Sequence, residues 1–354
     1  MATIVDIHGE AATLDYKNFS LAVSCDMKPR VAFIVPSYNY GRFLAQAVDS
    51  LLSQTFVDME IIVIDDGSTD ETAEVLKRYE ADGRIRIVRH AQNQGNIRTF
   101  NEGIELAQGD FVGILASDDY FQRVDAVERA IALMDAHADV GFVYFAQTVV
   151  DEAGQPISIC QPAPGDYVRG GLEEFADQAF GVSIDGSGLI IRRACHSEVG
   201  VYDARYPHVA DWDLWFRIMM CYSVGYVADL MVAKRAHSAN MSHTMISARQ
   251  AVEEKRDVIR KAFDALPHNA PQYLLRNRGG AIDRMLLNEC YCNRCLGRVR
   301  RGWQSLLQAV LVSPLLFIKG AFYVELGRLG LQTVLGQKLY GNLAVWRRKA
   351  WQGA

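Results

Sequence analysis

The stretch 60-EIIVIDDGSTDET-72 decides the fold. Ile61, Ile62, Val63 and Ile64 form a short apolar run without alternation, as expected of a strand buried on both faces. The run stops on two adjacent acids, Asp65 and Asp66, and a glycine. Ser68, Thr69 and Asp70, all residue types that cap helices, then lead into 70-DETAEVLKRYEAD-82, read as a helix. A buried strand handed through a polar turn to a helix is one unit of a parallel α/β sheet. Two like charges at its end need a reason beyond capping, which a single aspartate would accomplish.

The same grammar extends on both sides. Upstream, 30-RVAFIVPS-37 reads as a strand, and 42-RFLAQAVDSLLSQT-55 places Phe43, Leu44, Ala47, Val48, Leu51 and Leu52 on one helical stripe. Downstream come a short strand 85-IRIVRH-90, a helix 99-TFNEGIELAQGD-110 ending at Gly109, and a strand 111-FVGILASDD-119. A helix over about 123–137, the strand 140-VGFVYFAQTVV-150, a Gly/Pro-rich loop or lid over 151–171, a strand 186-GSGLIIRR-193 and a helix 211-DWDLWFRIMM-220 complete the unit. The polar punctuation falls at the strand ends where ligands bind in such sheets. Asp118 and Asp119 make a second carboxylate pair there, and so concentrated a negative site asks for a cation or for hydrogen-bond donors. Oxygen-rich ligand sets suit Mg²⁺ or Mn²⁺, which in turn hold phosphates.

The chain has 354 residues and a formal net charge of −5, which argues against a nucleic-acid partner. It divides into a leader at 1–28, an α/β domain at 29–246 and a helical region at 247–354. Seven scattered cysteines indicate a reducing compartment, and the cluster Cys290, Cys292, Cys295 lacks a second Cys/His pair at zinc spacing. The first twenty residues have neither the basic nor the apolar part of a secretory signal, so a cytoplasmic location is expected. Residues 303–335 are apolar, but Pro314, Lys319 and several polar residues interrupt them. Two amphipathic helices fit this stretch better than a membrane span. They could lie on a membrane surface through 303–349, with Arg298, Arg300, Arg301, Arg347, Arg348 and Lys349 toward anionic headgroups, or pack on the α/β domain or on a second subunit.

IVPSYN, IDDGSTD, NQGN, ASDD and DWDLWFR, in that order and spacing, resemble the family 2 glycosyltransferases, inverting enzymes of the GT-A nucleotide-sugar fold. The resemblance runs from Val31 to His243. It implies that Pro36, Ser37, Tyr38 and Asn39 cradle base and ribose and that Asp66 hydrogen-bonds the base. Asp65 would support the loop or touch the ribose, and Asn93, Gly95, Arg98 and Asn101 would shape the nucleotide edge. Asp118 would meet the ribose or the metal, with Asp119 and His237 as metal ligands; Arg235 and Ser242 could add donors, and His243 is a weaker candidate. The family's longer acidic motif has lost its first member to Ala116.

The family's Glu-Asp pair reads Ala210-Asp211, which makes Asp211 the matching general base. Any upward tuning of that acid must then come from burial. Asp213, two residues on, is the rival and is expected to cap or to pair with Arg217. Trp212 and Trp215 could form an acceptor platform, Trp215 fitting the core better. The implied donor is a UDP- or dTDP-sugar, and the implied acceptor a lipid-linked or surface-polysaccharide glycan. A nucleotidyltransferase would want a Gly-rich basic signature at the first strand, which VPSYNYGRF does not supply. A degenerate membrane-associated scaffold rests only on Ala116 and Ala210, and a homo-oligomer is open.

Overall fold

The protein's structure is a computed structural model describing residues 2–5, 11–14, 28–179, 182–237, 248–268, 270–295, 298–318 and 320–352. In the leader, Ala2–Val5 (β1) and Ala11–Leu14 (β2) pair as a small antiparallel ribbon that no periodicity announces. Cys25, Ser242, His243 and Lys319 lie outside the described residues, as do the side chains of Cys292, Cys295, Arg347, Arg348 and Lys349.

Val31–Ser37 (β3), Met59–Asp65 (β4), Ile85–Arg89 (β5) and Phe111–Ile114 (β6) form the parallel half of one sheet, with β3 between β4 and β6. Helices Gly41–Leu52 (α1), Thr72–Leu76 (α2) and Asn96–Leu106 (α3) make the crossovers. The quoted strand is buried on both faces, as its run of β-branched residues requires. Ile61 and Val63 pack with Leu44, Val48 and Leu51 on one side, while Ile62 and Ile64 pack with Ile34 and Ile104 on the other. Each fully buried Ile, Val or Leu contributes about 1.5–3 kcal/mol.

The other half carries Tyr120–Phe121 (β7), Val140–Val150 (β8), Pro156–Cys160 (β9), Tyr167–Arg169 (β10), Ile190–Arg192 (β11) and Ser223–Arg235 (β12). The strand order is β10-β12-β8-β11-β6-β3-β4-β5, with β7 on β12 and β9 on β8. β12 runs parallel to β8, whereas β11 is antiparallel to both β6 and β8. The C-terminal ends of β3, β4, β6, β8 and β12 therefore share one edge, and the chain entering β11 arrives at that edge too. Helices Ala126–Ala136 (α4), Gly171–Gln178 (α5), Arg193–Val199 (α6) and Ala210–Met219 (α7) cover the sheet.

Three expectations change. The helix after the quoted strand is one short turn of α-helix followed by a 3₁₀ turn at Lys77–Tyr79. The helix expected to end at Gly109 ends at Leu106, because Gly109 lies so close to β3 that a Cβ there would sit 2.6 Å from the Ala32 nitrogen. The expected lid over 151–171 contains β9 and β10, both joined to the sheet edge-on.

The C-terminal region is helical: Ala248–Asp264 (α8), Gln272–Cys295 (α9), Val299–Val312 (α10), a 3₁₀ turn at Pro314–Ile318, and Gly320–Gln352 (α11), which breaks at Gly336. Among the described residues no helix is long and apolar enough to cross a membrane.

Candidate active site

At the shared edge, the chain leaving β3 and the chain leaving β4 are laced together. Asn39, at φ 57°, donates its N–H to Ser68 Oγ (2.9 Å) and accepts the Thr69 N–H on Oδ1 (2.8 Å). Asparagine tolerates this left-handed backbone where most residues do not. Asp70 caps both following helices, accepting the Thr72 N–H (3.0 Å) on one oxygen and the Gly41 N–H (3.0 Å) on the other. Capping was thus correctly expected of Asp70, while Ser68 and Thr69 bind the neighbouring loop instead. Gly67 has φ 74°, and a Cβ there would come within 2.6 Å of the Gln92 backbone. No other residue type fits that turn.

The two opening aspartates have different work. Asp65 Oδ1 accepts the Ser68 N–H at 3.0 Å, tightening the turn. Asp66 Oδ1 meets His90 Nδ1 (2.7 Å) and the Gln94 N–H (2.8 Å), and Oδ2 accepts the Gly95 N–H (2.9 Å). His90 Nε2 continues to Glu102 Oε2 at 2.9 Å. Burial works against the His90 imidazolium, but Asp66 and Glu102 outweigh it and raise its pKa. Asp66 therefore holds the 90–95 loop in place. Of the other expected nucleotide residues, Ser37 is buried, Tyr38 is 45% exposed, and Asn93 and Arg98 face solvent beside the loop. Asn101 belongs to the framework, since its amide exchanges two hydrogen bonds with the Tyr202 backbone.

Asp118 and Asp119 follow β6 and are both buried. Asp119 Oδ1 accepts the Arg235 N–H (2.8 Å), and Asp118 Oδ2 lies 3.1 Å from His237 Nε2. Burial, with Asp118 and Asp185 adding their charges, pushes the Asp119 carboxyl up to about 8. Burial also raises Asp118, against the lowering effect of His237. Such a pair is short of positive charge. Its donors are hard oxygens, which suit a divalent cation that completes its shell with water and phosphate oxygens. Among the described residues no three His, Cys, Asp or Glu side chains converge on one point. His237 stands on the Asp118 side of the acidic pair. Arg235, expected to add a donor, reaches the Asp118, Asp151 and Glu152 carbonyls and the Gln46 side chain, against the rings of Phe43 and Tyr120.

Asp211 opens α7. Its Oδ1 accepts the Trp212 N–H (2.9 Å), and burial, with a smaller push from Asp185, raises its pKa to about 6. This is the burial tuning that the loss of a neighbouring glutamate demanded. Asp213 points elsewhere: it is buried between Arg217 Nε (2.8 Å) and Lys261 Nζ (2.6 Å) and is a structural ion. Trp215 is wholly buried against Phe142, while Trp212 is half-buried under Lys255.

Two residues that sequence reading missed complete the centre. Asp185, on the chain entering β11, pairs with Lys234 at the end of β12. Burial opposes the Lys234 ammonium, but Asp185, Asp119 and Asp211 outweigh it and hold it protonated. The next residues close the same space: Ser187 Oγ accepts the Ala116 N–H (3.1 Å), and Gly186 lies against Asp211. The edge thus pairs Asp185 with one ammonium that also acts electrostatically on Asp118, Asp119 and Asp211.

Residues 32–183 match the family model described as Glycosyl transferase family 2. An uncharacterized glycosyltransferase of Rickettsia typhi is 26% identical over 227 residues, covering 64% of this chain and 70% of its own. A PGL/p-HBAD biosynthesis glycosyltransferase of Mycobacterium tuberculosis is 27% identical over 223 residues, covering 62% and 81%. In structure, Staphylococcus aureus TarS 1–349 in complex with UDP-GlcNAc superposes with a TM-score of 0.64 at 18% identity, over 88% of this chain and 93% of that one. The mannosyltransferase PcManGT of Pyrobaculum calidifontis, in complex with GDP-Man and Mn²⁺, gives 0.56 at 16% identity, over 90% and 84%. The sheet with its helical cover is the GT-A fold.

Proposed function

We propose, from the match of residues 32–183 to the model of glycosyl transferase family 2, that this chain is a member of that family and moves a sugar from a nucleoside-diphosphate donor, UDP- or dTDP-linked, to a hydroxyl acceptor with inversion. The observation that carries this is Asp211, a carboxylate raised to about 6 by burial and sharing Asp185 and Lys234 as charged neighbours with Asp119. A base poised near neutral pH takes the acceptor proton as the oxygen attacks. One displacement inverts the anomeric centre, so no covalent nucleophile is needed.

Asp118 and Asp119 would hold Mg²⁺ or Mn²⁺, with His237 on Asp118; the ion supplies charge neutralisation for the leaving diphosphate. Lys234 adds a second, permanent positive charge beside the same carboxylates. The turns at Ser37–Asn39 and Gly67, with the 90–95 loop fixed by Asp66, form the wall for base and ribose. Within this reading, Pro36, Tyr38, Asn93 and Arg98 line the nucleotide edge, Gly95 keeps its backbone close, and Asp65 supports the turn. Asp66 keeps accepting capacity on Oδ2 for the base. The acceptor is a lipid-linked or surface-polysaccharide glycan met at the cytoplasmic face.

A thermal-shift panel of nucleoside diphosphates, each with Mn²⁺ and with chelator, tests the donor half. A ligand bound only by the folded chain raises Tm by mass action. UDP or dTDP with Mn²⁺ is expected to shift most, and the metal-dependent part of the shift to vanish in Asp119→Ala. No shift with any nucleotide, with or without metal, would remove the proposal and leave the scaffold reading.

A further inference from the structure

Polarity in the last two described helices is inverted. Facing the bundle, Arg294 Nε donates to Glu325 Oε2 (3.0 Å), Gln332 Nε2 to the Arg294 carbonyl (3.0 Å), and Asn293 Nδ2 to Ser305 Oγ (3.1 Å). Arg294, Glu325, Gln332 and Ser305 are all buried. Facing outward are large apolar side chains. Trp303, Leu307 and Leu311 recur at i, i+4 and i+8 on one exposed face of α10. Leu315, Phe317 and Ile318 continue that face around the 3₁₀ turn, Ile318 at 76% exposure. Val324, Leu331 and Val334 carry it along α11, which Trp303 Nε1 ties alongside α10 through Thr333 Oγ1 (2.9 Å).

A run of exposed residues of this size and kind marks an interaction surface. Charge identifies the occupant. From Arg298 to the last residue there are nine Lys and Arg against one acid, Glu325, in a chain whose net charge is −5. Arg298, Arg300 and Arg301 are exposed where α10 begins. A second copy seated on this face would bring two basic surfaces together and desolvate unpaired guanidiniums. An anionic bilayer offers both an apolar layer and counter-charge. No helix among the described residues can cross that layer, so the geometry is one of lying on it.

We propose that α10, the Pro314–Ile318 turn and the first half of α11 dock the protein on an anionic lipid surface, with the turn as the inserted tip. This stands apart from the transfer reaction, because no residue of the candidate active site lies on the docking face. It also gives docking a consequence. The bundle is fixed to the catalytic helix through Lys261 on Asp213 (2.6 Å) and Glu254 on the His208 N–H (3.0 Å). Docking would therefore set the orientation of Asp211 over the membrane.

The test is co-sedimentation of the full chain with vesicles of phosphatidylcholine alone and of phosphatidylcholine with phosphatidylglycerol, alongside light scattering for mass. Binding is expected only with phosphatidylglycerol and should weaken with salt. Ile318→Glu, at a site too exposed to disturb folding, should lower the bound fraction at least about tenfold. Arg300→Gln with Arg301→Gln should weaken binding by roughly 25-fold, about fivefold per basic residue. Equal binding to both vesicles, undiminished binding of Ile318→Glu, or no binding to either would overturn the proposal. A dimer that Ile318→Glu dissociates, with no vesicle binding, would give the face to a second copy.

Discussion

The sheet's ligand edge and the C-terminal helices resolve charge and burial in opposite ways. At the edge, Asp118 and Asp119 are buried and Asp185 and Asp211 half-buried, and burial raises Asp211 to about 6 and Asp119 to about 8. In the helices, Arg294, Glu325, Gln332 and Ser305 are buried too, each taking part in at least one hydrogen bond, and the apolar side chains stand outside. Unbalanced burial is expected of a catalytic site, since acids with displaced pKa values do chemistry there. An exposed run of large apolar side chains is expected of a docking element. The difference is what the two proposals, a reaction at the edge and docking at the helices, each rest on.

The sharpest way to break that contrast is Asp211→Asn. It should lower kcat by about 100- to 10,000-fold, the range for a lost general base, and leave the Kd for nucleoside diphosphate nearly unchanged. In the unaltered protein kcat/KM should climb through about pH 6, because only the ionised carboxylate accepts a proton. The stability effect has the opposite sign. Folded Asp211 titrates near 6 and its ordinary value is 3.8, so the folded state binds the extra proton between those values. Its contribution to stability is complete below about pH 3.8 and is lost as pH rises through 6. Asp211→Asn should therefore raise Tm at pH 7 and change it little in acid. An unchanged kcat, or a Tm that falls at pH 7, would show Asp211 to be structural.

Next in size is Ile62→Ala, which removes a fully buried side chain from the quoted strand. The expected loss is about 2–5 kcal/mol in urea unfolding. A smaller loss would mean the sheet is less tightly packed on that face than its burial implies.

How far the sequence could be read follows the distance between interacting residues. Val140–Val150 and the strand carrying Asp65 were legible because continuous apolar runs have one explanation. Asp211 is named by the motif that surrounds it, and its burial-raised pKa fits the role proposed for it. Ser223–Arg235 escaped: its pairing with β8 shifts register at several points, and Asp229 and Lys234 interrupt the apolar text. β9 and β10 hid in a stretch of Gly, Pro and Gln because edge strands owe their pairing to a neighbour far along the chain. Asp185 and Lys234 were unreadable for the same reason. Each looks like an ordinary surface charge until β11 enters antiparallel beside β6 and brings them together. Only that reversed strand revealed the fourth carboxylate. Asp66, expected to meet the base, also holds a loop through His90, a residue that no local pattern ties to it.

The smallest expected effect is the most discriminating for the helices. Ile318 is the same residue type as Ile62, but it is 76% exposed where Ile62 is wholly buried. If the C-terminal face is packed by nothing within the chain, Ile318→Glu should change unfolding free energy by no more than about 0.5 kcal/mol in the absence of lipid. Isoleucine loses no burial there, and glutamate gains full hydration. Urea unfolding followed by far-UV circular dichroism measures this directly. A loss comparable to that of Ile62→Ala would mean that the turn is core, and the contrast between the two regions would collapse. A null effect without lipid, together with lost vesicle binding, would assign Ile318 a role in docking separate from folding.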